Sequence, residues 1–305
     1  MSKLITLFFS LTVIFTSIYP EKIYLKPPQF ESKIETLMDI HSGKRKLEAS
    51  GIILVNGFYY IIFDNTFLIA KIHKSLSERK KANAWLGNKE KKSGFEGITY
   101  DYSDQKFLIV EELKNFRKSN LALVHEYKEG KGYLGKWVVE FPIKSRRKGM
   151  EGISYFRNNT GEYLALLCEK AKCSKRGNVL ILKKEKSFWK EVSAFKFKVK
   201  GMKDYSDISI KEDKVAIVSQ QSSSLWIGKM NSINFQFTDG KLYHFPKVNT
   251  NGEFSKEANK KTYCAVEGVT WVDEKKLAMV SDQTKKDKSG FCHLKDEMLH
   301  IFTIP

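Results

Sequence analysis

Five side chains that could bind a hard cation occupy the first position of a repeated phrase, and they are Ser50, Glu96, Glu151, Ser206 and Glu267. Hydroxyl and carboxylate oxygens suit Ca²⁺ and are poor ligands for zinc or copper. Carboxylates that lie close together repel, so they need a cation, shared protons or basic neighbours. If folding brings the five positions together, the pattern predicts a calcium site. The alternative is that the carboxylates bind backbone amides of a neighbouring element and hold no ion.

A second set of polar residues follows the phrases. Each phrase leads through a polar turn into a second apolar run, and these runs end at Asp64, Glu111 or Glu112, Glu169, Gln220 and Asp282. In an antiparallel pair, the end of the second strand returns beside the start of the first. We therefore expect both sets at one edge, with Glu111, Glu112, Asp64 and Asp282 as candidate catalytic groups. The sequence does not identify a general base among them.

The elements that must position these residues are strands. A third strand-like run occurs in every copy, and fourth strands fit at residues 137–143, 192–199 and 242–245, with a weak one near 82–86. Four antiparallel strands repeated every 46 to 61 residues predict an all-β, five-bladed β-propeller, with six blades less favoured. A two-sheet β-sandwich is the competing fold, but it does not require the same phrase in each unit.

The last copy ends at Pro305 after only three strands. A propeller leaves no such edge open, because neighbouring blades and ring closure protect the strand edges. We expect an N-terminal segment, residues 22–25 or 34–38, to supply the missing outer strand of the fifth blade. Residues 75–84 are the best candidate for a minor helix.

Residues 1–20 have the pattern of a secretory signal peptide. Lys3 precedes an apolar run over residues 4–16 that is too short to span a bilayer. An uncleaved membrane anchor is the alternative. We expect export to the periplasm or the medium, a single propeller domain over residues 21–305, and no membrane-spanning segment after signal removal.

The four cysteines predict two disulfides in an exported chain. Their spacing favours Cys168–Cys173 within a hairpin loop and Cys264–Cys292 across a longer loop. Four unpaired cysteines are the alternative. A zinc site is less favoured because no CxxC pair or clustered histidine accompanies them.

The formal net charge of +18 favours anionic ligands, and we expect a small-molecule or anionic ligand at the edge that carries the two polar sets. Nucleic-acid binding is not expected, because no recognised motif accompanies the charge. The chain contains no P-loop, GxSxG elbow, HExxH or EF-hand sequence. We expect a monomer.

Two families share parts of this pattern. The segment Phe95–Asp101, followed by the run from Phe107 to Glu112, resembles the exported propellers called SdiA-regulated proteins. The order Ser, Glu, Glu, Ser, Glu at the phrase starts resembles the calcium-activated nucleotidases of the apyrase type. That resemblance implies a five-bladed propeller whose channel holds a calcium ion on the five first-position residues. It does not extend to the longer nucleotide-contacting motifs, which this chain lacks.

One copy departs from the pattern, since Asp207 stands where the other phrases have glycine. It is either an additional ligand or a substitute for that glycine. Three functions remain open at this point. They are a calcium-binding propeller with a ligand at the channel mouth, a calcium-dependent phosphohydrolase, and a protein-binding platform whose carboxylate ring is only structural.

Overall fold

The computed structural model describes residues 22–38, 46–76, 83–116, 119–143, 149–171, 173–255, 257–285 and 288–305, except the side chains of 89–91, 112–116 and 119–120. The predicted signal peptide and residues 77–82 of the helix candidate lie outside these ranges. Within them, no helix has the length and apolar character needed to cross a membrane.

The strands follow the predicted order along the chain. The N-terminal segment contains β1 (Ile23–Tyr24), β2 (Phe30–Lys33) and helix α1 (Ile34–Leu37). Blade one is β3 (Ala49–Val55), β4 (Phe58–Phe63), β5 (Thr66–His73) and β6 (Ala84–Lys91). Blade two is β7 (Phe95–Asp101), β8 (Lys106–Phe116), β9 (Ser119–Lys128) and β10 (Gly132–Ile143). Blade three is β11 (Met150–Asn158), β12 (Gly161–Cys168), β13 (Val179–Glu185) and β14 (Phe188–Phe195).

Blade four is β15 (Asp207–Lys211), β16 (Lys214–Ser219), β17 (Ser224–Met230) and β18 (Phe237–His244). A two-stranded ribbon of β19 (Lys247–Val248) and β20 (Lys260–Lys261) precedes blade five. Blade five contains β21 (Val266–Trp271), β22 (Lys276–Ser281), helix α2 (Gly290–His293) and β23 (Met298–Thr303). The protein is therefore the predicted all-β, five-bladed β-propeller.

The ring is closed by the N-terminal segment, as predicted, but through different residues. Strand β2 pairs antiparallel with β23 and completes blade five. The candidate at 22–25 instead contributes β1, which runs parallel to β18 at the outer edge of blade four. The candidate at 34–38 is mostly α1, whose Ile34 and Leu37 lie one turn apart and are both buried. An apolar pair at that spacing fits a helical face, whereas a strand would place the two side chains on opposite faces.

The apolar core lies between the blades. Each central strand is buried on both faces, so runs such as Leu277–Val280 are continuously apolar. Each first strand contacts the first strands of both neighbouring blades, and β21 contacts β3 to complete the circle. The starts of the first strands are consequently held around a common axis.

Both predicted disulfides are present. Cys168–Cys173 closes the loop after β12, and Cys264–Cys292 joins the segment before β21 to helix α2. Both bonds pin loops around the ends of strands that contribute to the channel.

Candidate functional site

A backbone irregularity sets apart the first residue of the phrase in four blades. The pairing register between the first and second strands shifts at Ser50, Glu96, Glu151 and Glu267, each of which is the extra residue of a β-bulge. A bulge leaves one residue out of the ladder and redirects its side chain. Ser206 precedes β15, and its backbone N–H donates to Val218. All five predicted ligands thus lie at the start of an innermost strand, around the end of the channel that we call the mouth.

The glycine after each bulge allows the inner strands to approach one another. A Cβ on Gly97 would lie 2.8 Å from the Glu151 carbonyl oxygen, and one on Gly268 would lie 3.0 Å from the Gly51 Cα. Real Cβ atoms do not approach backbone atoms so closely. At Gly97, Gly152 and Gly268 a side chain could therefore be added only by moving a neighbouring blade.

Asp207 substitutes for the missing glycine by bonding to the next blade. Its two carboxylate oxygens accept hydrogen bonds from the backbone N–H groups of Ile208 and Val269, both at 2.8 Å. Burial raises the pKa of Asp207 well above its ordinary value, and these two bonds oppose the rise. Both oxygens of the carboxylate are therefore used in hydrogen bonds at the junction between blades four and five.

Hydroxyls at the fourth position of the phrase form hydrogen bonds across two other junctions, between blades two and three and between blades three and four. Thr99 accepts a hydrogen bond from Tyr155 N–H at 2.7 Å, and Ser154 accepts one from Ile210 N–H at 2.8 Å. At the mouth itself, the Ser50 hydroxyl donates to the Phe95 carbonyl at 2.6 Å. The bond from Ser50 satisfies its proton and leaves oxygen lone pairs for another partner.

The second polar set returns beside the first, as antiparallel geometry requires. Backbone N–H groups of Asp64, Glu169 and Asp282 donate to the segments just before the first strands, at 2.9, 3.2 and 2.8 Å. Gln220 N–H donates to the Ser206 hydroxyl at 3.1 Å. In blade two the equivalent position is Glu112, because Phe95 is opposite Glu111 just as Val266 is opposite Ser281. The side chain of Glu112 lies outside the described part of the chain.

Glu111 faces a different environment. It is 3% exposed, and its Oε2 lies 2.7 Å from Nε2 of the buried His125. Together with Phe95 and Tyr133, the two residues line a cavity of about 390 Å³ between blades one and two. Glu111 is thus placed between blades rather than at the second-set position of the mouth.

Acidic groups at the mouth influence one another strongly. Burial raises the pKa of Glu267 well above its ordinary value, and the charges of Asp282, Glu151, Asp64 and Asp204 raise it further. The side-chain amide of Gln220 donates to the Glu267 carboxylate. We call Asp64, Glu151, Asp204, Glu267 and Asp282 the acidic mouth. Charged residues from blades one, three and five and from the segment before blade four therefore lie close enough to raise the pKa of Glu267 or to be the affected group.

Asp282 has a distinctive environment within the acidic mouth. Burial raises its pKa to about 7, against a hydrogen bond from Gln283 N–H, and the charges of Glu48, Asp296 and Glu297 add to the rise. Its Oδ1 is buried and accepts no hydrogen bond within the described part of the chain. Such an oxygen can bind a proton or a cation at little further desolvation cost.

Two acidic residues of this region were missed by the sequence reasoning. Asp204 is 2% exposed, accepts hydrogen bonds from the Ser219 hydroxyl and from Gln221 N–H, and raises the pKa of Glu267. Glu48 raises the pKa of Asp282. The sequence held a signal, because the two blades that begin with serine at position one, Ser50 and Ser206, carry an acid two residues earlier.

The structure also brings together a Ser-His-Glu set that spacing did not reveal. The Ser281 hydroxyl lies 2.6 Å from His300 Nε2, and His300 Nδ1 lies 2.9 Å from Glu31 Oε1. Burial lowers the pKa of His300, so the neutral ring donates to Glu31 and accepts from Ser281. Ser281 is 1% and His300 0% exposed. Since neither can meet a substrate in this arrangement, the chain of bonds ties β2, β23 and β22 together.

A hard cation fits the chemistry of the acidic mouth. The possible metal ligands are all oxygens, from the carboxylates, the Ser50 and Ser206 hydroxyls and the Gln220 amide. Within the described residues, the buried Asp282 Oδ1 accepts no hydrogen bond. Among the described residues, no three Asp, Glu, His or Cys side chains form a metal-ligand set by themselves. Hydroxyl, amide and water oxygens would have to complete the coordination shell, as they commonly do for Ca²⁺.

Neither comparison at the level of sequence identifies a family. No family model matches the chain, and no curated protein matches it. The resemblances to SdiA-regulated and apyrase-type proteins therefore remain resemblances of repeat pattern.

Solved structures share the fold. A glutaminyl cyclase from Myxococcus xanthus superposes with a TM-score of 0.52 over 93% of this chain and 100% of its own, at 10% identity. A PQQ-bound aldose sugar dehydrogenase from Streptomyces coelicolor gives 0.46 over 91% and 99%, at 12% identity. A luciferin-regenerating enzyme gives 0.48 over 90% and 94%, at 11% identity. At 10% identity the likeness to the cyclase supports the β-propeller fold alone.

Proposed function

We propose that this protein is an exported β-propeller that binds Ca²⁺ at the acidic mouth and uses the mouth to bind a ligand. The observation that carries the proposal is the environment of Glu267, whose carboxylate faces the charges of Asp282, Glu151 and Asp64. Such a group of carboxylates is costly unless a cation or protons compensate it. The oxygen donors of the mouth favour a hard cation over zinc or copper.

The proposed ligands are the five first-position residues, Ser50, Glu96, Glu151, Ser206 and Glu267, with Asp282 as an addition from the second set. Asp207 is not among them, because both its oxygens bond to backbone N–H groups. The order of the five residues resembles the apyrase-type pattern, which supports the same assignment. Export is supported by the two disulfides, which are typical of an oxidising compartment.

Calorimetric titration tests the ion site directly. CaCl₂ added to the EDTA-treated and desalted protein should bind with one-site stoichiometry. Binding should be lost in Glu151→Gln and Glu267→Gln, which remove the charge but keep the shape. Glu185→Gln is the matched control, since Glu185 is an exposed residue at the end of β13. Unchanged binding in both mouth variants would overturn the proposal.

A second candidate function is favoured by Asp282. A carboxyl group with a pKa near 7 is suited to accept a proton at neutral pH. In this function the five first-position residues would hold the Ca²⁺, which would polarise a phosphoryl oxygen. Asp282 would then not bind the ion but would accept a proton from the attacking water, in a calcium-dependent phosphohydrolase. Turnover of phosphomonoesters, nucleotides or phytate that requires calcium and falls in Asp282→Asn would support this function. The absence of turnover across that panel would contradict it.

A further inference from the structure

A small cavity lined by cations lies beside blade four. Its volume is about 190 Å³, and it lies between the loops near β15 and β16, strand β18 and the β19–β20 ribbon. Its lining includes the exposed lysines Lys22, Lys203 and Lys261, and the half-buried Lys247, His244 and Ser222. None of its lining residues is acidic. No carboxylate in the described part of the chain pairs with any of the four lysines, which distinguishes them from Lys184 or Lys106. We call this cavity the basic pocket.

The ribbon holds two of these lysines directly opposite each other. Lys247 and Lys261 are antiparallel partners across β19 and β20. Like charges at such positions destabilise a sheet. Burial lowers the pKa of Lys261, and the charges of Lys203 and Lys247 lower it further. Lys261 is solvent-exposed and Lys247 is half-buried, so the ribbon presents two like charges to the same cavity.

The positive charges of the pocket lysines also act on its histidine. His244 is half-buried, and burial followed by the charges of Lys22, Lys247 and Lys261 lowers its pKa. The Lys247 ammonium also lies 5.6 Å from the centre of the Tyr24 ring, which is part of the pocket lining. The Ser222 hydroxyl accepts a hydrogen bond from Lys203 N–H at 2.8 Å, so its own proton is available to an acceptor in the cavity.

We propose that the basic pocket binds a phosphate group. Lysine ammonium groups bind phosphate oxygens as point charges, and the serine hydroxyl supplies a further donor. Four lysines favour a dianionic phosphate over a monoanionic sulfate ester or carboxylate, because the attraction grows with ligand charge. The pocket is distinct from the acidic mouth, although Asp204 influences Glu267 on one side and Lys261 on the other. The inference does not depend on calcium.

The test is phosphate binding in the presence of EDTA, so that calcium plays no part. Thermal unfolding and calorimetric titration would use the full mature chain with inorganic phosphate and with phenyl phosphate, each against chloride at the same ionic strength. Both phosphates should raise the melting temperature. Equal affinities would identify the phosphate group alone as the ligand, and tighter phenyl phosphate would identify a phosphate ester.

Three variants locate the site. Lys247→Gln and Lys261→Gln should each weaken phosphate binding about tenfold, since a charge-assisted hydrogen bond is lost. Lys229→Gln is the matched control, because Lys229 is an exposed lysine on β17 outside the pocket. Calcium binding should be unchanged in all three variants, which separates this inference from the proposed function. A phosphate effect no larger than that of chloride, or one that persists in Lys247→Gln and Lys261→Gln, would overturn it.

Discussion

In four of the five blades, a β-bulge sets the direction of the polar side chain at the start of the innermost strand. A bulge at Ser50, Glu96, Glu151 and Glu267 takes these side chains out of the alternation that would otherwise place them between blades. The following glycine then lets the strands meet near the axis. Position one therefore directs a polar side chain to the mouth, and position two allows neighbouring strands to approach closely.

The steric role of the glycine leads to a stability prediction. In Gly97→Ala the new methyl group would contact the Glu151 carbonyl oxygen and Gly152 Cα at 2.8 and 3.0 Å. Both are backbone atoms of the adjacent blade, so we expect a loss of about 1–3 kcal/mol in the free energy of unfolding. Urea unfolding measures it. Gly290→Ala is the control, because a Cβ there meets nothing within 4 Å, and equal stabilities of the two variants would contradict the steric account.

Asp282 leads to a prediction about pH. Its folded-state pKa is about 7 and its ordinary value is 3.8, so the folded protein holds this proton more tightly than the unfolded chain. The stability from this group is complete below 3.8 and is lost as the pH rises to about 7. In EDTA, Asp282→Asn should lose less stability over that interval than the unmodified protein does. Parallel pH profiles of the two proteins, from urea midpoints, would exclude the raised pKa.

The sequence predicted the position of the mouth more accurately than it predicted which residues belong to the mouth. The repeated phrase identified the five first positions, but Glu111 and Glu112 could not be separated, because the bulge at Glu96 shifts the register by one residue. A shift of one residue moves a side chain to the opposite face of a strand. Asp204 was missed because its partners, Ser219 and the Gln221 N–H, lie 15 and 17 residues away in sequence.

The N-terminal strand is the element that holds the ring closed. Glu31 of β2 bonds to His300 of the last strand, β23, and also to Tyr263 and Lys295. The closure could be predicted, because the fifth repeat contains only three strands. The segment could not, because strand candidates of four or five residues carry too little pattern to separate strand from helix. The spacing of Ile34 and Leu37 indicates a helix only when it is known that both side chains are buried.

Removing that strand should destroy the closure. A chain that begins at residue 34 lacks β1 and β2, so the edge of β23 is exposed and His300 loses its acceptor. We expect a lower melting temperature and a tendency to self-associate through the exposed edge, measured by circular dichroism and size-exclusion chromatography. A chain that begins at residue 22 is the control. Indistinguishable melting of the two would show that β2 does not close the ring.

The formal net charge is +18, yet acidic and basic side chains form separate clusters in the molecule. Carboxylates gather at the acidic mouth, while Lys203, Lys247 and Lys261 surround the basic pocket nearby. Net charge alone predicted an anionic ligand but could not predict this division, because it depends on which loops the propeller places side by side. The fold could be predicted from the repeat. The repeat extends over most of the chain, so a wrong assignment at one residue does not change the predicted fold.

Thermal unfolding of a chain of residues 21–305, in EDTA and in millimolar calcium, tests the calcium site most directly. A ligand that binds only the folded state stabilises it by about 2.7 kcal/mol at a hundredfold excess over Kd. The account predicts that calcium raises the melting temperature of the unmodified protein and of Glu185→Gln, and that Glu151→Gln and Glu267→Gln lose this rise. An equal melting temperature in EDTA and calcium, for a protein shown by elemental analysis to be free of metal, would contradict it.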